Sequence, residues 1–249
     1  MNKEKHESLE GSFLSTIKSE SSLEIAKESA EIAIDAFLDE GILRDIPIVG
    51  FITNLAKSGI SIRERLFIEK VLKFLSPLNQ YSREERSHFL EQLDESELKK
   101  ASQTIILYLE RLDSLEKPEM LGKIFTAFMK GDIPYKTMMY FAHFVDTVFI
   151  IVWNDYFSAI EDARNKYVFS PTVHLDDALA LEKAGFYSEK LEHEKEYNTD
   201  LGNEYIVSSK RTLELTQAGW EFTQLVFAVP ENDGYYCNRS RFDVTIENT

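Results

Sequence analysis

The run MMYFAHFVDTVFIIVWNDYF, residues 138–157, constrains this chain more than any other stretch, because it is apolar nearly all round rather than along one stripe. A helix of that kind is buried on most sides, in a protein core or in lipid. His143 and Asp146 in its first half, and Asn154 with Asp155 in its second, cut the uninterrupted apolar run below the length of a membrane span. The pattern predicts one central helix in a bundle, with amphipathic helices around it.

The preceding sequence supplies such helices. Ser21 with Glu24, Ser61 with Glu64 and Ser82 with Glu85 each have capping-box spacing, in which the two side chains satisfy backbone amides that a helix start leaves unpaired. The first opens an Ala-rich amphipathic run to Leu38. After Ser61, a stripe of Ile62, Leu66, Phe67, Val71, Leu72 and Leu75 is expected to face the core. A helix over roughly Glu95 to Leu115 places Leu98, Ala101, Ile105, Tyr108, Leu112 and Leu115 along a bundle seam. Pro118 in a first turn and Gly131 after the last periodic residue bracket another. Residues 21–165 therefore read as a helical bundle, and residues 1–20, polar and without periodicity, as a flexible arm.

Around Phe169-Ser170-Pro171 the helical pattern breaks, which predicts a domain boundary there. Beyond it, LDDALALEKAG reads as a short helix ending at Gly185. SEKLEHEKEY and EYIVSSKRTLEL read as a hairpin, and a helix follows from Gln217 with Trp220 and Phe222 in the core. Residues 166–228 form a small α+β module on this reading, and 229–249 an extended tail. The fold class expected is mainly α: a helical bundle followed by that module.

Two resemblances attach to these blocks. LEKAGFY, closing a short helix, and LELTQAGWEF, a strand leading into a helix, resemble the back half of winged-helix modules found in many bacterial proteins. Further upstream, GILRDIPIVGFITNLAKSGISIRERLFIEKVLKFL, YSREERSHFLEQL and YLERLDSLEKPEMLGKIFTAFMKGDI resemble a group of uncharacterised bacterial helical proteins with comparable blocks in this order. That second resemblance implies a bacterial, cytoplasmic, helical protein and implies no catalytic activity.

Charge bears on what a winged-helix-like segment would contact. The chain carries 28 Lys and Arg against 43 Asp and Glu, a net charge of -15. Between Pro171 and Phe227 there are eleven acidic and five basic residues, a local balance of -6. DNA binding rests on several cationic contacts to phosphate, and here only Lys210 and Arg211 stand in a suitable place. A protein is the favoured partner and nucleic acid the disfavoured one. The expected contact surface is the charged hairpin from Glu189 to Arg211, with Glu189, Glu192, Glu194, Glu196, Lys210 and Arg211 as its candidate partner-contact residues. A DNA-binding transcriptional regulator and a membrane-perturbing effector of a stress or phage-defence response are the alternatives. The second would have to unpack the apolar segments 46–60 and 138–157 into lipid.

No constellation for chemistry emerges, so no catalytic residue, metal ligand or cofactor is expected. The five histidines fall in five separate predicted segments, and none pairs with another at the i, i+4 spacing of a helical metal site. His174 with Asp176 and Asp177 reads as a helix start whose carboxylates complement the macrodipole. Ala56-Lys57-Ser58-Gly59 has the residue types of a phosphate loop in the wrong order, and no G-x-S-x-G elbow is present. Single Cys237 allows no intramolecular disulfide, and the N-terminus lacks the apolar core of a secretory signal; both favour the cytoplasm. His143 and Asp146, three residues apart on an apolar helix, form a candidate buried polar pair.

Overall fold

The computed structural model describes residues 8–22, 24, 42–55, 60–166, 173–198, 203–229 and 244–246. Within these the chain is mainly α-helical, with a small antiparallel sheet near the C-terminus. It divides into two compact units between Asp146 and Thr147.

The first unit holds α1 (Leu9–Lys18), α2 (Pro47–Leu55), α3 (Ile62–Leu75), α4 (Arg83–Gln92), α5 (Glu95–Arg111), α6 (Lys117–Met129) and α7 (Tyr135–Thr147), whose last residue lies past the division. Single 3-10 turns cover Ile42–Asp45 and Ser76–Gln80. The presence of α1 corrects the expectation of a flexible arm over residues 1–20, of which 1–7 lie outside the described residues. Ser8 accepts the Gly11 amide at 3.1 Å and starts the helix. Phe13 and Ile17, one turn apart, are fully buried, which draws an otherwise polar segment into the core. Phe13, Phe74 and Phe125, from α1, α3 and α6, form a ring trio with centroids 5.5–5.9 Å apart. Each fully buried Phe contributes about 1.5–3 kcal/mol by leaving water.

The capping boxes at Ser61/Glu64 and Ser82/Glu85 form as their spacing predicts, with reciprocal bonds in both. That expected at Ser21/Glu24 does not open a helix at Ser21; Ser19 Oγ accepts the Ser22 amide at 3.2 Å, two residues earlier. The run from Ile25 to Leu38 lies outside the described residues. On α3 the buried residues are Ile68, Val71, Leu72, Phe74 and Leu75, while Ile62 is 79% and Leu66 42% exposed. The expected stripe is thus wrong in its first turn and right in its last two, because only the C-terminal part of the helix lies on α6. Gly122 makes that approach possible: a Cβ there would sit 2.3 Å from the Phe74 carbonyl oxygen.

Buried cations close several helix ends. Arg86, 1% exposed, donates from Nε to the Ile17 carbonyl at 2.7 Å, from Nη2 to the Ser19 carbonyl at 3.3 Å and to Glu20 at 3.1 Å, and from Nη1 to the Tyr81 carbonyl. One α4 side chain thereby takes up carbonyls at the end of α1 and anchors that helix. Lys70 does the same for α5, donating to the carbonyls of Leu112 at 2.5 Å and Glu110 at 3.2 Å. Its pKa is lowered, chiefly by desolvation.

The second unit holds α8 (Ile150–Lys166), α9 (Leu175–Lys183), β1 (Tyr187–Asn198), β2 (Asn203–Leu215), α10 (Gln217–Phe227) and β3 (Val244–Ile246). An expectation is corrected here. The apolar run 138–157 is two helices, not one: Thr147, Val148, Ile150, Ile151 and Val152 are β-branched and weaken helix at that point. Phe149 restarts the ladder by accepting from the amides of Val152 and Trp153 at 3.1 and 3.3 Å. The division between compact units falls before α8, and Phe169–Pro171, where the sequence predicts a domain boundary, lie outside the described residues. No single helix among the described residues is long and apolar enough to cross a membrane.

The second core is aromatic. Trp153, on α8, stacks on Phe222 at 4.9 Å and meets Phe186 edge-on at 5.3 Å; Tyr156 meets Phe186 at 5.3 Å. The Tyr156 hydroxyl pairs with Thr223 Oγ1 at 3.0 Å, and burial pushes its pKa well up. Trp220, expected in this core, is only partly covered, whereas Phe222 is fully buried.

Candidate functional site

The hairpin expected from sequence forms as a long ribbon: β1 has twelve residues and β2 thirteen. They pair antiparallel from Tyr187 opposite Leu215 to Asn198 opposite Asn203, with a bulge at Glu194/Lys195. β3, within the tail expected to be extended, adds to the far side of β2 opposite Arg211–Leu213.

At its base the ribbon belongs to the core. Here the two sequence blocks that resemble a winged helix find their physical roles. In LEKAGFY, Leu181 and Phe186 are buried, and Gly185 adopts φ +85° so that α9 can end and the chain can turn into β1. In LELTQAGWEF, Leu213 and Leu215 are buried and Thr216 caps α10 by accepting the Gly219 amide at 3.0 Å. The blocks also hold each other: the Thr216 amide donates to the Phe186 carbonyl at 3.0 Å, and Thr216 Oγ1 to the same oxygen at 2.9 Å. A Cβ on Gly219 would stand 2.5 Å from that carbonyl oxygen, so glycine permits the approach. Both motifs are therefore occupied in building the module.

Away from the base the ribbon mixes charged residues with apolar ones, Leu191, Tyr197, Tyr205, Ile206 and Val207 among them. Glu189 is exposed and Leu191 is 52% exposed. Lys190 Nζ reaches Glu214 at 2.9 Å across the strands, a diagonal pair with one partner half exposed. The register sets Glu192 opposite Lys210 and Leu191 opposite Arg211, and Arg211 lies between β1 and β3. Glu192, Glu194 and Glu196 occupy every second position of the outer part of β1. The side chains of these three and of Lys210 and Arg211 lie outside the described residues, as does the connection 199–202. From 192 to 204 the sequence holds Glu192, Glu194, Glu196, Asp200 and Glu204 against Lys195.

His174 stands at the N-cap position of α9, with Asp176 and Asp177 in its first turn, as their helix-start reading requires. Asp177 has its pKa raised, by desolvation first and then by the charge of Asp155. Among the described residues no three His, Cys, Asp or Glu side chains gather where a metal ion would be held.

His143 and Asp146 are not a buried pair. Asp146 accepts from Arg111 Nη2 at 2.6 Å, its side chain 10% exposed, and His143 is exposed. The reason lies in α5, which brings Arg111 against the carboxylate and leaves the imidazole at the solvent face. His143 instead lines a shallow groove with Tyr135, Lys136, Met139 and Tyr140 of α7 and Tyr108 of α5. Sequence reasoning missed this groove. Its one local signal was the spacing of Tyr135, Met139 and His143 at successive turns of one helix, and Tyr108 joins only through tertiary packing.

Compared with protein-family models, with curated proteins and with solved structures, the chain matches none.

Proposed function

We propose that this is a non-catalytic interaction or regulatory protein of the bacterial cytoplasm, whose C-terminal module contacts another protein through the β1–β2 ribbon. The observation that carries the reading is a ribbon anchored at one end by Tyr187, Leu213 and Leu215, all buried, whose outer part, residues 192–210, holds five acidic residues against Lys195 and Lys210. An anchored ribbon holds charges at fixed spacing, and complementary charge speeds and orients protein association. A carboxylate-rich strand fits a basic surface on its partner.

The same charge argues against DNA as the ligand, since a phosphate backbone needs cations in number. A membrane role finds its support in the exposure of Phe149 at 67% and Ile151 at 65%, beside the apolar run singled out in the sequence. The net charge of -15 opposes approach to anionic lipid, so protein contact is the preferred reading.

The test is capture of partners from the cells that make the protein, with nuclease present, using the wild-type chain and the variant Glu192→Lys/Glu194→Lys/Glu196→Lys. A nuclease-resistant protein that binds the wild type, weakens with salt and is lost in the variant is the expected result. Recovery unchanged by the charge reversal, or lost with nuclease, contradicts the proposal.

A further inference from the structure

A groove on the first unit gathers aromatic side chains beside a cation. It measures about 470 Å³, within the roughly 300–1,000 Å³ of small-molecule sites. Tyr108, Tyr135 and Tyr140 supply its rings, and Lys136, Met139 and His143 complete its lining. Tyr140 is 51% exposed, a large ring left at the surface without full cover.

Cations accompany the rings. Lys136 Nζ lies 5.8 Å from the centroid of Tyr140, and Arg111 Cζ 5.6 Å from that of Tyr108. The nearby carboxylate, Asp146, is engaged by Arg111, so it does not cancel the charge of Lys136. Tyrosine faces bind planar rings by stacking, and an ammonium on a flexible stem beside such a face suits a phosphate attached to that ring. A neutral aromatic would leave the ammonium unused, and a simple anion would leave the rings unused.

We infer that this groove binds a mononucleotide, with its base against Tyr140 and Tyr108 and its phosphate at Lys136. None of the lining side chains is an amide or carboxylate of the kind that pairs with a base edge, so purine nucleotides bind without marked preference among them. The site lies wholly in the first unit and is independent of the ribbon of the second.

Calorimetric titration of the whole protein with AMP, GMP, adenosine and inorganic phosphate tests it. AMP and GMP should bind with similar Kd below about 1 mM, adenosine and phosphate each at least about tenfold more weakly. Lys136→Met should weaken AMP about tenfold and leave adenosine unchanged, whereas Tyr140→Ala should weaken both by about tenfold. Both positions are exposed, and unchanged melting of the variants shows that folding is intact. Absence of AMP binding at millimolar concentration overturns the inference. So does binding of inorganic phosphate as tightly as AMP, or AMP binding by either variant as tight as by the wild type.

Discussion

Both units pack aromatic rings and set a glycine against a backbone oxygen, but the first adds a device of its own. In the first, long cationic side chains reach across the bundle to the carbonyls that helix ends leave unpaired: Arg86 to Ile17 and Ser19, Lys70 to Glu110 and Leu112. In the second, the core is rings and close backbone approach, with Trp153, Phe186 and Phe222 in contact and Gly219 under the Phe186 carbonyl. The difference teaches where sequence and structure part company. Contacts of both kinds join residues far apart in sequence, 40–69 positions for the first and 33–69 for the second, but most partners of the second kind stand in two short motifs that the sequence displays.

The largest effect that would sharpen this contrast is expected at Arg86. Arg86→Met leaves the Ile17, Ser19 and Tyr81 carbonyls without their buried donor and should cost about 3–5 kcal/mol in denaturant unfolding. Amide hydrogen exchange should rise first in α1 and α4. A cost below about 1 kcal/mol would show that the cation does not anchor the bundle. Next come the glycines that permit close approach. Gly122→Ala and Gly219→Ala each force a methyl against a backbone oxygen and should cost about 1–3 kcal/mol, with faster exchange at α3 and α6 in one and at α10 in the other.

Smaller effects separate local caps from core packing. Thr216→Ala should cost about 1–2 kcal/mol, because it removes both the α10 cap and a bond to the Phe186 carbonyl. At Trp153 two terms oppose each other. The indole N–H is buried without a hydrogen-bond partner, so Trp153→Phe relieves its desolvation while it leaves space behind. A net change within about 1 kcal/mol is expected, against the 3–5 kcal/mol typical of removing a buried Trp altogether. A loss as large as for Trp153→Ala would mean that the N–H carries no penalty.

The smallest effect is acid sensitivity at the capping boxes. Glu64 and Glu85 have lowered pKa values, first from the backbone amides of Ser61 and Ser82 and then from their hydroxyls. A carboxylate with a depressed folded-state pKa stabilises the protein above its unfolded value and loses that contribution as pH falls through the folded one. Glu64→Gln/Glu85→Gln should therefore lower Tm slightly at pH 7, where the carboxylates contribute in full, and flatten its fall below the ordinary carboxylate range of about 4.5. An unaltered acid limb would remove the capping account.

Much of this fold was legible because its signals are short. Capping boxes at Ser61 and Ser82 need only three residues, and the hairpin needed only period-two alternation and a turn-rich tip. Gly131 and Gly185, at φ +79° and +85°, stand where helix ends were expected. What escaped needed tertiary information. The helix around Phe13 and Ile17 has too few apolar residues to declare itself until α3 and α6 supply Phe74 and Phe125. The break after Asp146 has no Pro or Gly to mark it, only β-branched residues inside an apolar run. Asp146 was read with the nearest polar residue in sequence, yet its partner is Arg111, 35 positions away.

The central claim is that the outer ribbon contacts protein, and site-specific photocrosslinking in the native cells tests it most directly. A photoreactive residue is placed at Glu194, with the exposed bundle position Lys99 as control. A discrete, nuclease-resistant protein adduct from position 194 and none from position 99 is the result expected. Adducts from 194 that vanish with nuclease, or that are no more specific than those from 99, would contradict the account.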